Sequence, residues 1–441
     1  MAGTDLRVIG AILMVGVGVM SLYFIRKNSN LSWDQRLGAH ILCWLFIAKG
    51  IGNMFVDSLI KNLTANGYNS GGIWQFEFSI LWLMDILFGI GMLALCLVFP
   101  LPILRTKKQL KIAFSIVIGW IIYRVILFVL GFQLTILELP GILYFICGTV
   151  WVTIYVKFRL IPKEKRNQST NNIALAAGLL LVFHFGHIWF SWTGLILRAD
   201  YFYFQDIMEE MSHRSVEYMW QASYAFAIGV GMAMFAIEVK EMFNGNKNQI
   251  TYFIISYFTL GFIGYTILSS TSIDWWDAGD TSLAQIWVTL TSSMHFTVVR
   301  PLIGMYILLR FGLFDTSEEM KPRAKMMVII LIVIATSALL ELVQAIIPIN
   351  EMFSAALLGI IVAFGIGWEE RSFDNLVNSP SSMKEGVEER WYPEIELPKN
   401  LFKNIDTAVF ITIITFLLIG FLQWRTNALY ELVLRRIEGG W

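Results

Sequence analysis

The chain is short of charge and shorter still of cysteine, and each shortage closes off a class of protein. Asp, Glu, Lys and Arg together make up 15% of its 441 residues, whereas a water-soluble domain carries about a quarter. Water is therefore not its main solvent. The three cysteines, Cys43, Cys96 and Cys147, all fall within apolar runs, which leaves neither a disulfide framework nor a CxxC metal site. They read as small buried side chains. Acidic and basic residues balance at 33 each, so no overall charge points to nucleic acid or to an acidic substrate. The motifs of phosphate-binding loops, zinc peptidases and nucleophile elbows (GxxxxGKS/T, HExxH and GxSxG) do not occur, and no internal repeat is recognisable. No catalytic residue, metal or cofactor is predicted.

What the chain has in abundance is apolar sequence, at 56% of its residues. Crossing roughly 30 Å of hydrocarbon takes about 20 mostly apolar residues, because each backbone polar group must be paired inside its own helix. Such runs fall near 5–25, 37–60, 76–100, 110–131, 139–158, 172–193, 215–238, 250–270, 285–309, 325–347, 352–367 and 405–424. The expected fold is thus all-α, a polytopic transmembrane helical bundle of 11 to 12 helices. The residues before the first run have neither a basic n-region nor a small-residue cleavage site, so that run is expected to stay as a membrane helix.

Cations mark alternate connections, and this sets an orientation. Arg26, Lys27 and Arg36 stand on one, Arg105, Lys107, Lys108 and Lys111 on the next of that side, and Lys157, Arg159, Lys163, Lys165 and Arg166 on a third. Lys240, Lys247, Arg310, Lys321, Lys384 and Lys403 continue the series. The opposite connections hold Asp200, Asp206, Glu209, Glu210, Asp274, Asp277 and Asp280 instead. This predicts an outside N-terminus and cytoplasmic basic loops; Arg425, Arg435 and Arg436 break the pattern by falling outside. The chain is expected to divide into a bundle of about nine helices over 1–315, two further helices over 316–367, a cytoplasmic linker or surface helix over 368–404, and a last helix with its tail over 405–441. The 37 residues of that linker are too few for a kinase, cyclase or ATPase domain.

Candidate chemistry lies where ionisable residues interrupt the apolar runs, since a mid-bilayer charge costs several kcal/mol and is normally paired or set against a cavity. Lys49, Asp85 and Arg124 fall at similar depth in the second, third and fourth runs. They predict either a ligand or ion site or a structural pair that fixes helix register. His184 and His187 stand three apart on one helix face, with His295 at comparable depth. They suit a metal, haem or proton-relay role, or plain interhelical hydrogen bonding. Glu341 and Gln344, also three apart, are expected to close a polar cavity with them or to bond across a helix interface. Asn62-Leu63-Thr64 is a glycosylation sequon on the predicted outside.

One stretch carries a family resemblance. Arg300, Pro301 and Leu302, then Tyr306, Leu309 and Arg310, then Leu313, Phe314 and Asp315 follow the pattern R-P-L, Y-x-L-L-R, L-F-D. It resembles the end of the seven-helix membrane sensor region found at the N-terminus of many prokaryotic histidine kinases. The resemblance covers under a twentieth of the chain and implies a sensor-like helical bundle with an outside N-terminus. In that family a signalling domain follows the motif, whereas more apolar runs follow here, with no phosphoacceptor histidine box or ATP-binding lobe. Kinase activity is therefore not implied.

These readings predict a receptor-like membrane protein that binds a small or lipid-like ligand among its helices and signals through a separate cytoplasmic partner. A secondary transporter and a membrane redox or lipid-modifying protein are the alternatives. The bilayer is a partner in each case, and nucleic acid in none.

Overall fold

In a computed structural model of the protein, the described residues are 3–27, 31–130, 140–196, 214–270, 295, 299–311, 313, 391–398 and 400–432, with short pieces at 321–322, 325–326, 329, 383–384 and 387–388. They form helices, and no strand occurs among them. The helices are α1 (Gly3–Lys27), α2 (Trp33–Asn53), α3 (Val56–Asn66), α4 (Trp74–Val98), α5 (Lys107–Val129), α6 (Pro140–Arg159), α7 (Gln168–Ile196), α8 (Arg214–Phe243), α9 (Gln249–Ser270), α10 (Arg300–Arg310) and α11 (Leu401–Thr426). Among the described residues, five helical stretches are long and apolar enough to cross a membrane: Trp33–Asn66, α4, α5, Gln168–Trp189 and α11. Shorter apolar stretches run over Gly10–Arg26 and Gln249–Ile263. The runs predicted at 325–347 and 352–367 lie outside the described residues, as does most of 285–309.

Local sequence fixes several helix starts. Asn167 and Thr170 cap α7 reciprocally: Thr170 N donates to Asn167 Oδ1 at 2.8 Å and Asn167 N to Thr170 Oγ1 at 3.1 Å. Asn248 and Thr251 repeat the arrangement at α9, at 3.1 and 3.3 Å. Each pair satisfies backbone donors that have no carbonyl within the helix. Thr106 caps α5 by accepting from Gln109 N at 3.2 Å.

The run predicted as one span over 37–60 is divided. Met54 and Phe55 form a turn, and α3 follows as a short amphipathic helix. Gly50, Gly52 and Asn53 are weak helix formers at the break. Beyond it, Leu59 packs with Trp74 and Leu429 while Lys61 stays exposed.

The chain folds as two compact units. The first holds α1 to α5, α10 and α11; α1 lies along α2, α2 along α4, and α4 against both α5 and α11. Glycine permits the closest of these approaches. A Cβ on Gly18 would stand 2.7 Å from the Cys43 carbonyl oxygen, and one on Gly50 2.7 Å from that of Ala11. Helices in a membrane use small residues in this way, because backbone proximity replaces the hydrophobic drive. On α5, Ile112, Ile116, Ile118, Ile122 and Ile126 are exposed, and on α11 Phe410, Ile411, Leu418 and Leu422. The second unit holds α6, most of α7, α8 and α9, with α8 packed on α6 and α9. Most of α7 is buried.

Candidate functional site

In the first unit, Lys49 on α2 donates from Nζ to Asp85 Oδ1 on α4 at 2.5 Å. Asp85 stands near the middle of the 25 residues of α4, and so at mid-depth if that helix spans a membrane. One turn further along α4, the Phe88 ring centroid lies 5.6 Å from Lys49 Nζ and also 5.6 Å from Arg300 Cζ. Two cations therefore flank one aromatic ring. Arg124, expected as the third member, is buried on α5 but does not share the Lys49–Asp85 ion pair. Its place in the cluster is taken by Arg300, which the sequence marked only as the start of the family motif. Lys49 is 14% exposed and Asp85 45%. The pair is closed on the lysine side and open on the carboxylate side.

The histidines gather in the second unit, though not in the expected pairs. His184 faces Trp151 of α6, edge to ring at 5.7 Å. His187 lies 5.6 Å from the His295 ring, centroid to centroid. Three residues along a helix turn by 300°, so neighbouring side chains diverge by about 60°, enough to send these two to different neighbours. The fully buried His295 is held through Nδ1 by the Tyr257 hydroxyl at 2.8 Å, and that hydroxyl also reaches the Gly186 carbonyl at 3.0 Å. A carbonyl only accepts, so when Tyr257 donates to Gly186, His295 Nδ1 is the donor to the phenol. A Cβ on Gly186 would come within 2.6 Å of His295 Cε1, and its absence lets the imidazole reach the backbone of α7. His295 and Val299 stand in π-helical turns. Among the described residues, no group of three or more His, Cys, Asp or Glu side chains is placed to hold a metal.

Two further clusters escaped the sequence reading. Arg159 of α6 and Glu238 of α8, 1% and 0% exposed, pair at 2.7 Å. Arg159 Nε also donates to Glu238 Oε1 at 2.8 Å, and its Nη2 to Thr251 Oγ1 at 2.9 Å and to the Asn246 carbonyl at 3.1 Å. Tyr155 donates to the same carboxylate, and Arg166 reaches Glu241 at 3.0 Å. This is a densely paired, buried polar core. Its signal was present as Tyr155 and Arg159 four apart and Glu238 and Glu241 three apart, each pair on one helix face.

The other cluster lies in the first unit, where the C-terminal end of α1 meets the N-terminal ends of α2 and α11. Asp406 accepts from Arg26 at 2.5 Å, from His40 Nε2 at 2.6 Å and from Trp44 Nε1 at 2.8 Å. The segment 391–398 folds over the start of α2, with Trp33 Nε1 donating to the Pro393 carbonyl at 2.7 Å. Lys384 pairs with the buried Asp34 at 2.8 Å and lies 4.8 Å from the Tyr392 ring. Burial, with the Asp34 carboxylate adding to it, raises the Tyr392 hydroxyl above its ordinary pKa, which keeps it neutral. A cavity of about 710 Å³ opens beside Asp406.

Arg300, Pro301, Leu302, Tyr306, Leu309 and Arg310 lie on α10, and Leu313 is buried just past its end. Phe314, Asp315, Glu341 and Gln344 lie outside the described residues. The sequon residue Asn62 donates to the buried Glu77 at 2.8 Å. No protein-family model, curated protein or solved structure matches the chain.

Proposed function

We propose that the chain is a multi-pass protein of the cell membrane, with about twelve helices and its N-terminus outside, that works as a receptor. It binds a small or lipid-like ligand at the Lys49–Asp85 pair and passes the signal to a separate cytoplasmic partner docked on the basic connections. The observation that carries this reading is the uneven closure of the pair, with Asp85 45% exposed at mid-helix while Lys49 is 14% exposed. A pair that served only to fix helix register would have no use for the open side of its carboxylate. The outward isoleucines of α5 and the outward Phe410, Ile411, Leu418 and Leu422 of α11 support lipid as the surrounding solvent, since soluble proteins rarely expose apolar patches of that extent. The resemblance of α10 to the end of sensor bundles supports the same class. A ligand that prefers one of two helix packings by a few kcal/mol is enough to signal.

The test has two parts. Single cysteines placed at Lys163 and at Asn69 should react with an impermeant reagent from opposite sides of sealed vesicles; labelling of position 163 from outside rejects the topology. Purified wild type screened against small and lipid-like compounds should give stabilising hits that Asp85→Asn loses while its circular dichroism is unchanged. Hits that stabilise both proteins equally reject Lys49–Asp85 as the site.

A further inference from the structure

We infer that the cavity where α1, α2 and α11 meet is a binding site for a phosphate group, presented by the headgroup of an anionic lipid or free in solution. Its walls carry three cations, Arg26, Arg36 and Lys403, against one carboxylate, Asp406. That carboxylate is already engaged by Arg26, His40 and Trp44. Among the described residues, no carboxylate pairs with Arg36 or Lys403. The Arg36 guanidinium lies instead 4.5 Å from the centroid of the Phe402 ring, which orients it without neutralising it. A guanidinium held in this way suits the two-pronged grip that phosphate oxygens accept.

The backbone adds to the same field. α2 and α11, 21 and 26 residues long, both begin at this cavity, and neither start has a side-chain cap. Ser32 bonds to Gln35 instead, at 2.9 Å. Two helix N-termini thus add their partial positive charge beside a space already rich in cations. At about 710 Å³ the cavity has the size of sites that hold a small organic ligand, more than a bare ion needs. Leu31, Trp33 and Leu397 complete its wall, so an apolar group beside the phosphate is accommodated as well. Both helices are among those able to cross a membrane, which places their first turns at headgroup depth. The lipid source rests on the membrane reading proposed above; the phosphate chemistry of the cavity does not.

The test uses the full chain purified in a neutral detergent. Short-chain phosphatidylglycerol, short-chain phosphatidylcholine and glycerol 3-phosphate are each titrated while Trp fluorescence and melting temperature are followed. Wild type is expected to bind phosphatidylglycerol at least tenfold more tightly than phosphatidylcholine. The double variant Arg36→Gln/Lys403→Gln, which breaks no ion pair among the described residues, should lose that preference with an unchanged circular dichroism spectrum. Lys107→Gln/Lys108→Gln, on the exposed first turn of α5, should keep it. Binding of glycerol 3-phosphate as tight as that of the lipid keeps the phosphate site but makes its source soluble. Equal loss in both double variants, or no anion preference in wild type, overturns the proposal. Asp85→Asn should leave this binding untouched, so failure here is distinguishable from failure of the receptor reading.

Discussion

The Arg159–Glu238 pair of the second unit is enclosed, whereas the Lys49–Asp85 and Arg26–Asp406 pairs of the first are partly open. Arg159 and Glu238 are 1% and 0% exposed, and Arg159 Nε and Nη2 and the Thr251 hydroxyl each have an acceptor there. Asp85 and Arg26 are 45% and 54% exposed, although each is ion-paired. A buried charge survives only with near-complete pairing, so the first arrangement is what structure alone demands. The second goes beyond that demand. Closure of a polar cluster is therefore a better guide to its role than the mere presence of charge in an apolar helix.

Four substitutions would break or sharpen this contrast. Glu238→Ala should be the most damaging, destabilising the protein by about 3–5 kcal/mol because Arg159 is left buried and uncompensated; a melting temperature within a degree of wild type would remove the distinction between the units. Asp406→Asn, which weakens bonds from three donors, should cost about 2 kcal/mol by denaturant titration. Tyr257→Phe removes the hydroxyl shared by Gly186 and His295 and should cost about 1 kcal/mol. Its readout is the imidazole nitrogen chemical shift of His295, which a loss of packing alone would not move. Asp85→Asn should change stability least, by under about 1 kcal/mol, because the pair is half open. A loss as large as that of Glu238→Ala would make Asp85 structural after all.

Much of the helix pattern was legible because it depends on length and hydropathy alone. α4, α5, α6 and α9 begin and end within about three residues of the positions expected from apolar runs. The turn at Met54 and Phe55 was not, since hydropathy stays high across it and only Gly50, Gly52 and Asn53 hint at weakness. The Lys49–Asp85 pair was visible because single charges stand out in apolar sequence. Arg300 was not, because at the start of a short helix it reads as a flanking residue. Arg159, Glu238 and Asp406 were hidden for a related reason: near the ends of apolar runs, charges look solvated. Only three-dimensional packing shows that Arg159 and Glu238 are enclosed, and that Asp406 meets donors more than 350 positions earlier in the chain.

α11 is fastened at both of its ends, by Asp406 to Arg26 and His40, and by Asn427, whose Oδ1 accepts from Gly71 N at 2.7 Å and Gln75 Nε2 at 2.9 Å. It is also translated about 270 residues after α5. At roughly 5–20 residues per second, ribosomes need on the order of 10–60 s to cover that interval. For that time α2 and α4 wait in the nascent protein with their seat for α11 vacant, so the first unit is completed only once the end of the chain is made.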